Sequence, residues 1–195
     1  MTGLEPGRHV SRGGVKLAAA LEGLGIEPAG RICADLGSNV GGFVQCLVAR
    51  GAAKVYAVDT GYGVLDYQLR KDDRVVVMER TNAMHVTLDE PVDLVTIDVG
   101  WTRQRHILPA AVKLLGPGGE ILSLVKPHYE APPEWLRGGV LPPEKVPTVV
   151  ATVAEGVRAF GVELVGQMDS PLPGRAGNRE AWFRLRRRGA LPGRG

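Results

Sequence analysis

The stretch "DLGSNVGGF", Asp35 to Phe43, follows directly on the apolar run Ile32-Cys33-Ala34. An apolar run that breaks into a glycine-rich loop ahead of a helical pattern describes a strand, a ligand-holding turn and a helix. Spacing separates the loops of this kind. The dinucleotide fingerprint G-x-G-x-x-G needs a glycine two places before its second, and Asp35 stands there, ahead of Gly37. The phosphate loop G-x-x-x-x-G-K-[ST] matches the separation of Gly37 and Gly42, but Phe43 and Val44 fill the places of its lysine and hydroxyl. A triphosphate would be poorly neutralised there. What remains is an acid at a strand end, then small residues, then a helix start. That suits a ligand carrying its own cation, such as S-adenosylmethionine with the ammonium of its methionine end. Asp35, Gly37, Ser38, Gly41, Gly42 and Phe43 are the candidate cofactor loop, although a glycine-rich turn of this kind also serves plain packing.

At 195 residues the chain is long enough for one domain with a real core. Hydrophobic residues at 44% and charged residues at 23% are ordinary for a globular protein. No apolar run approaches the roughly 20 residues that span a bilayer, and the N-terminal segment lacks the apolar core of a signal peptide. A cytoplasmic protein is therefore expected. Cys33 and Cys46 have no Cys or His at ligand spacing and read as buried thiols. His9, His85, His106 and His128 are scattered, so no metal site is expected. The net charge of +3 permits a nucleic-acid partner without arguing for one.

Strand-like and helix-like runs alternate, which favours an α/β sheet. Helical patterns cover 11–24, 41–50, 65–70, 107–115 and 148–160. Strands are expected over 31–36, 54–59, 75–78, 92–98, 120–126, 162–168 and 181–186. Gly116-Pro117-Gly118-Gly119 reads as a helix stop, and the proline- and glycine-rich segment 127–147 as a long irregular loop. Residues 1–10 read as an N-terminal extension and 189–195 as a frayed tail. The last two strands, closely connected, suggest a closing antiparallel hairpin. The expected fold is thus a single domain, a seven-stranded Rossmann-like sheet with its last strand antiparallel and helices on both faces, the arrangement of class I methyltransferases.

Ligands of open α/β sheets sit beyond the carboxyl ends of the strands. Asp35, Asp59, Asp98 and Lys126 all end parallel strands, and Glu180 opens the final one, so all should share one crevice. Asp59 can accept both ribose hydroxyls of an adenosyl ligand, or serve as a turn carboxylate before Gly61. Asn82 can meet the adenine amino group, or cap a local turn. Asp98 and Lys126 are expected to pair, because isolated buried charges are expensive. They make a structural salt bridge or the machinery of methyl transfer. A ribose hydroxyl must lose its proton as it attacks a methyl carbon, and lysine takes that proton only when neutral. Bringing a lysine from about 10.4 to working pH shifts it by roughly 3 units, about 4 kcal/mol. An aspartate alone pushes the wrong way. Burial, a second lysine and a ligand sulfonium push the right way.

The motifs "SRGGVKL", "DLGSNVGGF", "VDTGYGVLDYQLRKDDRVVVMERTNA", "VDLVTIDV", "LVKPHYEA" and "GNREAWFRL" together resemble the hemolysin A (TlyA) family of FtsJ-like methyltransferases, from Val10 to Leu185. The resemblance implies S-adenosylmethionine as cofactor, methylation of the ribose 2′-oxygen of ribosomal RNA, and a Lys-Asp-Lys-Glu tetrad. Carried across motif by motif, the tetrad is Lys16, Asp98, Lys126 and Glu180. It implies that Lys126 takes or polarises the hydroxyl proton. Asp98 orients Lys126 and borders the methionine portion, while Lys16 and Glu180 position the ribose. The family normally begins with an S4-type RNA-binding domain, and the residues before Ser11 leave no room for one. Gly100-Trp101-Thr102-Arg103 and Pro127-His128-Tyr129 also depart from the family's phrases. Recognition of RNA by the chain's own loops, a separate RNA-binding partner, and a different substrate therefore stay open.

Arg12, Arg103, Arg105, Arg175 and Arg179 fall in loops at the catalytic edge, where they could meet phosphates. Trp101 and Tyr129 flank the same edge and could stack on a flipped base. Arg184, Arg186, Arg187 and Arg188 run the other way and read as a solvated tail. Two rivals stand beside RNA methylation: a small-molecule O-methyltransferase, and a non-catalytic cofactor-binding or membrane-lytic protein. The absence of a strongly amphipathic or spanning segment counts against lysis.

Overall fold

Helix α1 (Arg12–Gly23) begins where Ser11 caps it, its hydroxyl accepting the Gly13 N–H at 3.2 Å. This is near the start of what the computed structural model describes, residues 11–188; the expected N-terminal extension and C-terminal tail lie outside the described residues. After β1 (Ile32–Leu36) comes α2 (Gly42–Ala49), buried from Gly42 to Val48. Apart from Gln45 its side chains are apolar on every face, and such a helix belongs inside. Gly42 is needed at its start, because a side-chain carbon there would run into the Ser11 hydroxyl and Gly14 N of α1.

The chain continues through β2 (Lys54–Val58), α3 (Tyr67–Arg70), β3 (Val75–Met78), β4 (Val92–Ile97), α4 (Gln104–Leu114) and β5 (Leu115–Val125). Then follow α5 (Pro127–Glu130), α6 (Val146–Gly156), β6 (Val162–Asp169) and β7 (Ala181–Arg187). Seven strands form one sheet in the order β3-β2-β1-β4-β5-β7-β6. Strands β1 to β5 pair in parallel, while β7 runs antiparallel to both β5 and β6. This is the expected class I methyltransferase sheet. Side chains alternate across it: Phe183 packs with Ile107 and Val150 of α4 and α6, whereas Trp182 packs with Leu17 and Leu47 of α1 and α2.

Three local expectations change. Gly116-Pro117-Gly118-Gly119 does not separate helix from strand. Leu115 already pairs with Val92, and Glu120 pairs with Leu94, so the intervening residues bulge out between two rungs of one ladder. Leu115 is buried and holds the early rung in place. The segment 127–147 is not an irregular loop. It carries α5, 3₁₀ turns Pro133–Trp135 and Pro143–Lys145, and a bridge between Arg137 and Val140. Its prolines start helical turns, where a missing N–H costs nothing.

The third change concerns the arginines of β7. Buried Glu120 accepts Arg31 at 3.0 Å, Arg184 at 2.7 Å and Arg186 at 3.2 Å. Arg184 also donates to Leu24 O, and Arg187 to Val112 O and Leu115 O. They lace the sheet's far end to the helices and are not a solvated tail. Burial pushes the Glu120 carboxyl up, but the bonds from Arg184 and Arg31 outweigh it and hold it below its ordinary value. A carboxyl depressed in the folded state contributes stability above its unfolded pKa and loses it as pH falls through the folded one. Glu120→Gln is expected to cost about 2 kcal/mol at neutral pH. Urea unfolding should show that gap closing as the pH falls below about 4.

Candidate active site

The loop after β1 is shaped by backbone constraints. Gly37 has φ +92°, and a side-chain carbon there would meet the Asp98 carbonyl, so only glycine fits. Its N–H and that of Ser38 both donate to Val58 O, at 2.9 and 3.0 Å. Asp59 holds the loop from the next strand, accepting Asn39 N–H at 2.8 Å and Gly61 N–H at 2.7 Å. It is thus a turn carboxylate, and each oxygen keeps a further acceptor position. These residues border a cavity of about 320 Å³ whose walls include Gly37, Asp59, Asn82, Asp98 and Trp101, within the usual size range of ligand pockets. Asn82 is exposed and caps a turn by accepting Met84 N–H at 2.9 Å.

The remainder of the expected loop lies in packing behind this wall. Gly41 abuts Leu65 and Leu69, and the Phe43 ring tilts against Trp182 at 5.5 Å. Asp35, Ser38, Gly41, Gly42 and Phe43 do not line the cavity. The sequence analysis missed Asn39, Thr60, Thr81 and Val99, which do line it. Each adjoins a residue or motif it had chosen, so one step further along each strand end would have found them.

The four residues of the expected tetrad arrive on separate elements and form ion pairs. Lys16 of α1 donates to Glu180 Oε2 at 2.6 Å, with both side chains buried. Lys126, just beyond β5, pairs with Asp98 Oδ1 at 2.5 Å and donates to Val99 O at 3.0 Å. The β5–β7 register ends on Val125 opposite Ala181. Lys126 and Glu180 are the next residues beyond this last rung. Asp98 is drawn into the same edge through its N–H to Leu36 O at 3.0 Å. Two lysines and two carboxylates thereby meet at the carboxyl end of the parallel strands.

Residues 9–187 match the family model for the FtsJ-like methyltransferases. The chain belongs to that family. Among its relatives, the "16S/23S rRNA (cytidine-2'-O)-methyltransferase TlyA" of Mycobacterium tuberculosis is 42% identical over 193 residues, 95% of this chain and 72% of the relative. Hemolysin A of Brachyspira hyodysenteriae is 34% identical over 179 residues, 89% of this chain and 75% of the relative. A provisionally named hemolysin structure from Streptococcus thermophilus superposes with a TM-score of 0.90 at 34% identity, covering 98% of this chain and 73% of that one. As an FtsJ-like methyltransferase the chain is an enzyme that takes S-adenosylmethionine as methyl donor.

The FtsJ-like site also shows how its rim is built. Trp101, 89% exposed with φ +56°, stacks on Tyr129 at 5.2 Å, and Lys126 Nζ lies 5.8 Å from the Tyr129 ring centre. Arg103 donates to Tyr129 O at 3.0 Å, Arg12 to Pro173 O at 3.0 Å, and Arg105 to the His106 ring at 3.1 Å. Arg179 is exposed; the side chain of Arg175 lies outside the described residues. Asn178, buried, joins two rim segments: it accepts Leu141 N–H and donates to Gly139 O. His128, beside Tyr129, is pushed down to about 4 by burial and by the charge of Lys126, so it is neutral at working pH. Cys33 and Cys46 are buried free thiols, as expected.

Whether the site fits a cationic ligand is tested by Asp35. It is buried to 1% exposure; Oδ1 accepts the Thr96 hydroxyl at 2.7 Å and Oδ2 has no hydrogen-bond partner. Burial, opposed by the Thr96 bond and reinforced by Asp98 and Asp59, pushes its carboxyl from 3.8 up to about 8. An orphaned acceptor in a field of acids fits a group that brings positive charge. Without that group the acid is a liability. The folded chain keeps the proton that the unfolded chain sheds, so stability falls as pH rises from about 4 to about 8. Asp35→Asn is therefore expected to resist urea better than the parent at pH 8. The two midpoints should converge near pH 4.

Proposed function

We propose that this chain transfers the methyl group of S-adenosylmethionine to a ribose 2′-hydroxyl of ribosomal RNA, acting in the cytoplasm as a single methyltransferase domain. The observation that carries the proposal is the meeting of Lys16, Asp98, Lys126 and Glu180 at one sheet edge, as two ion pairs. The 2′-O specificity in the name of the Mycobacterium tuberculosis relative supports the same acceptor. Bound S-adenosylmethionine supplies a methyl group activated by its sulfonium. Asp59 and Asn82 would hold its ribose and adenine, and Asp35 would face its ammonium from behind the cavity wall.

The geometry around Lys126 indicates how the proton is handled. Two of the three outer positions on Nζ are taken by Asp98 Oδ1 and Val99 O. In the neutral amine both hydrogens go to these acceptors, leaving the lone pair for the hydroxyl proton. In the ammonium the same position holds an N–H that polarises the hydroxyl oxygen. Asp98 thus orients the base, and the Lys16–Glu180 pair positions the ribose. The Trp101–Tyr129 stack offers a face to a base turned out of its helix, and Arg12, Arg103, Arg105, Arg175 and Arg179 serve phosphates.

The hemolysin name is carried by two of the similar proteins above. Among the described residues no helix is long and apolar enough to cross a membrane. The deciding experiment incubates the protein with radiolabelled S-adenosylmethionine and unmodified ribosomal subunits. Label should enter RNA and protect one linkage from alkali. Lys126→Ala should lower the rate by about a hundredfold or more while still binding the cofactor. Lys126→Arg, charged but unable to give up its proton, should fare no better. Full transfer by either variant would remove Lys126 from the chemistry.

A further inference from the structure

A second cavity, about 380 Å³, opens beside the catalytic rim between the start of α4, α5 and α6. Its walls are apolar, formed by Ala131, Trp135, Val149, Val153, Val157 and Phe160. Its mouth is not. Arg103 and Arg105 line it, and Lys145 sits over the Trp135 ring with Nζ 4.7 Å from the ring centre. Glu130 reaches in from α5, with Oε1 accepting the Gln104 N–H at 2.6 Å. Its other oxygen remains as a polar handle.

The cavity is continuous in sequence with the site. Trp101 and Thr102 line the cofactor cavity, and the next residue, Arg103, lines this one. Tyr129 stacks on Trp101, and its neighbour Glu130 lines this one. Arg103 ties the two together by donating to Tyr129 O. An apolar slot with an aromatic wall, one polar handle and cations at its mouth has the chemistry of a splayed nucleobase with its phosphate outside.

We infer that this cavity takes the base of an RNA nucleotide neighbouring the methylated one, with Arg103 and Arg105 on the intervening phosphates. The inference rests on the RNA reading of the site and adds to it a second contact. One base is presented on the Trp101–Tyr129 stack while its neighbour is swallowed here. The strand is thereby gripped on two sides of the reacting ribose, so binding in this slot sets which nucleotide reaches Lys126.

The test fills the slot without touching the tetrad. Val153→Trp occupies the cavity, and Thr152→Glu sets an anion on its exposed lip, where folding has little at stake. Affinity for a short fluorescein-labelled single-stranded RNA should fall about tenfold or more in Val153→Trp, and also in Thr152→Glu. KM for ribosomal subunits should rise to match while kcat, cofactor affinity and melting temperature hold. Thr152→Lys should tighten RNA binding. Wild-type RNA affinity and KM in both Val153→Trp and Thr152→Glu would overturn the inference while leaving 2′-O-methylation intact. If the parent protein methylates no ribosomal RNA, the underlying reading falls, and the RNA-binding measurement still decides whether the slot holds a base.

Discussion

The antiparallel ladder between β5 and β7 is the constraint on which the site depends. Parallel strands all deliver their carboxyl ends to one edge, so β1, β2, β4 and β5 can bring only residues that follow them. A strand running the other way brings the residue before it. Val125 opposite Ala181 closes the ladder, so Lys126 and Glu180 leave it at the same edge, where each meets its own partner, Asp98 and Lys16. The alternation of side chains along β7 turns Trp182 and Phe183 to opposite faces, anchoring the ladder in both halves of the core. A lysine from α1 then completes a balanced set of two cations and two anions. Charges so placed are costly to desolvate singly and far less so in pairs.

Balance at the tetrad contrasts with imbalance one layer below. Asp35, Asp59 and Asp98 surround the cofactor loop, and only Asp98 has a lysine partner. Asp59 is stabilised by backbone N–H groups; Asp35 has one hydroxyl and an unfilled oxygen. Asp35 and Asp59 are thus carboxyl groups that a cationic ligand can engage. The protein accepts a less stable resting state in exchange for a site already shaped and charged for its cofactor.

Much of this was legible in the sequence because the signals were local. Strand ends fell within a residue or so wherever an apolar run met Gly, Asp or Lys, and Asp98, Lys126 and Glu180 sat at those ends; Lys16, inside α1, came only from the family resemblance. What escaped depended on distant partners. The turn at Gly116-Pro117-Gly118-Gly119 reads as a stop until Leu115 finds Val92 across the sheet. The arginines of β7 read as solvated until Glu120, sixty-odd residues away, claims two of them. Segment 127–147 looks irregular because its order consists of short turns started by proline, too brief for periodicity to show. Gly41, Gly42 and Phe43 belong to the motif but face the core, a distinction that spacing does not carry.

Asn178 ties the catalytic rim together in a way that bears on evolution. Its amide clasps the 139–141 turn, while its carbonyl accepts the N–H of Gly174, and Glu180 lies two residues on. The 139–141 turn and the acid that pairs with Lys16 are consequently one mechanical leaf. Any insertion that displaces the 139–141 turn pulls on the segment carrying Glu180. Loops at the rim of an enzyme are usually its freest ground for variation; here one such loop is tethered, and the room for acquiring new substrates lies instead on the Trp101 side.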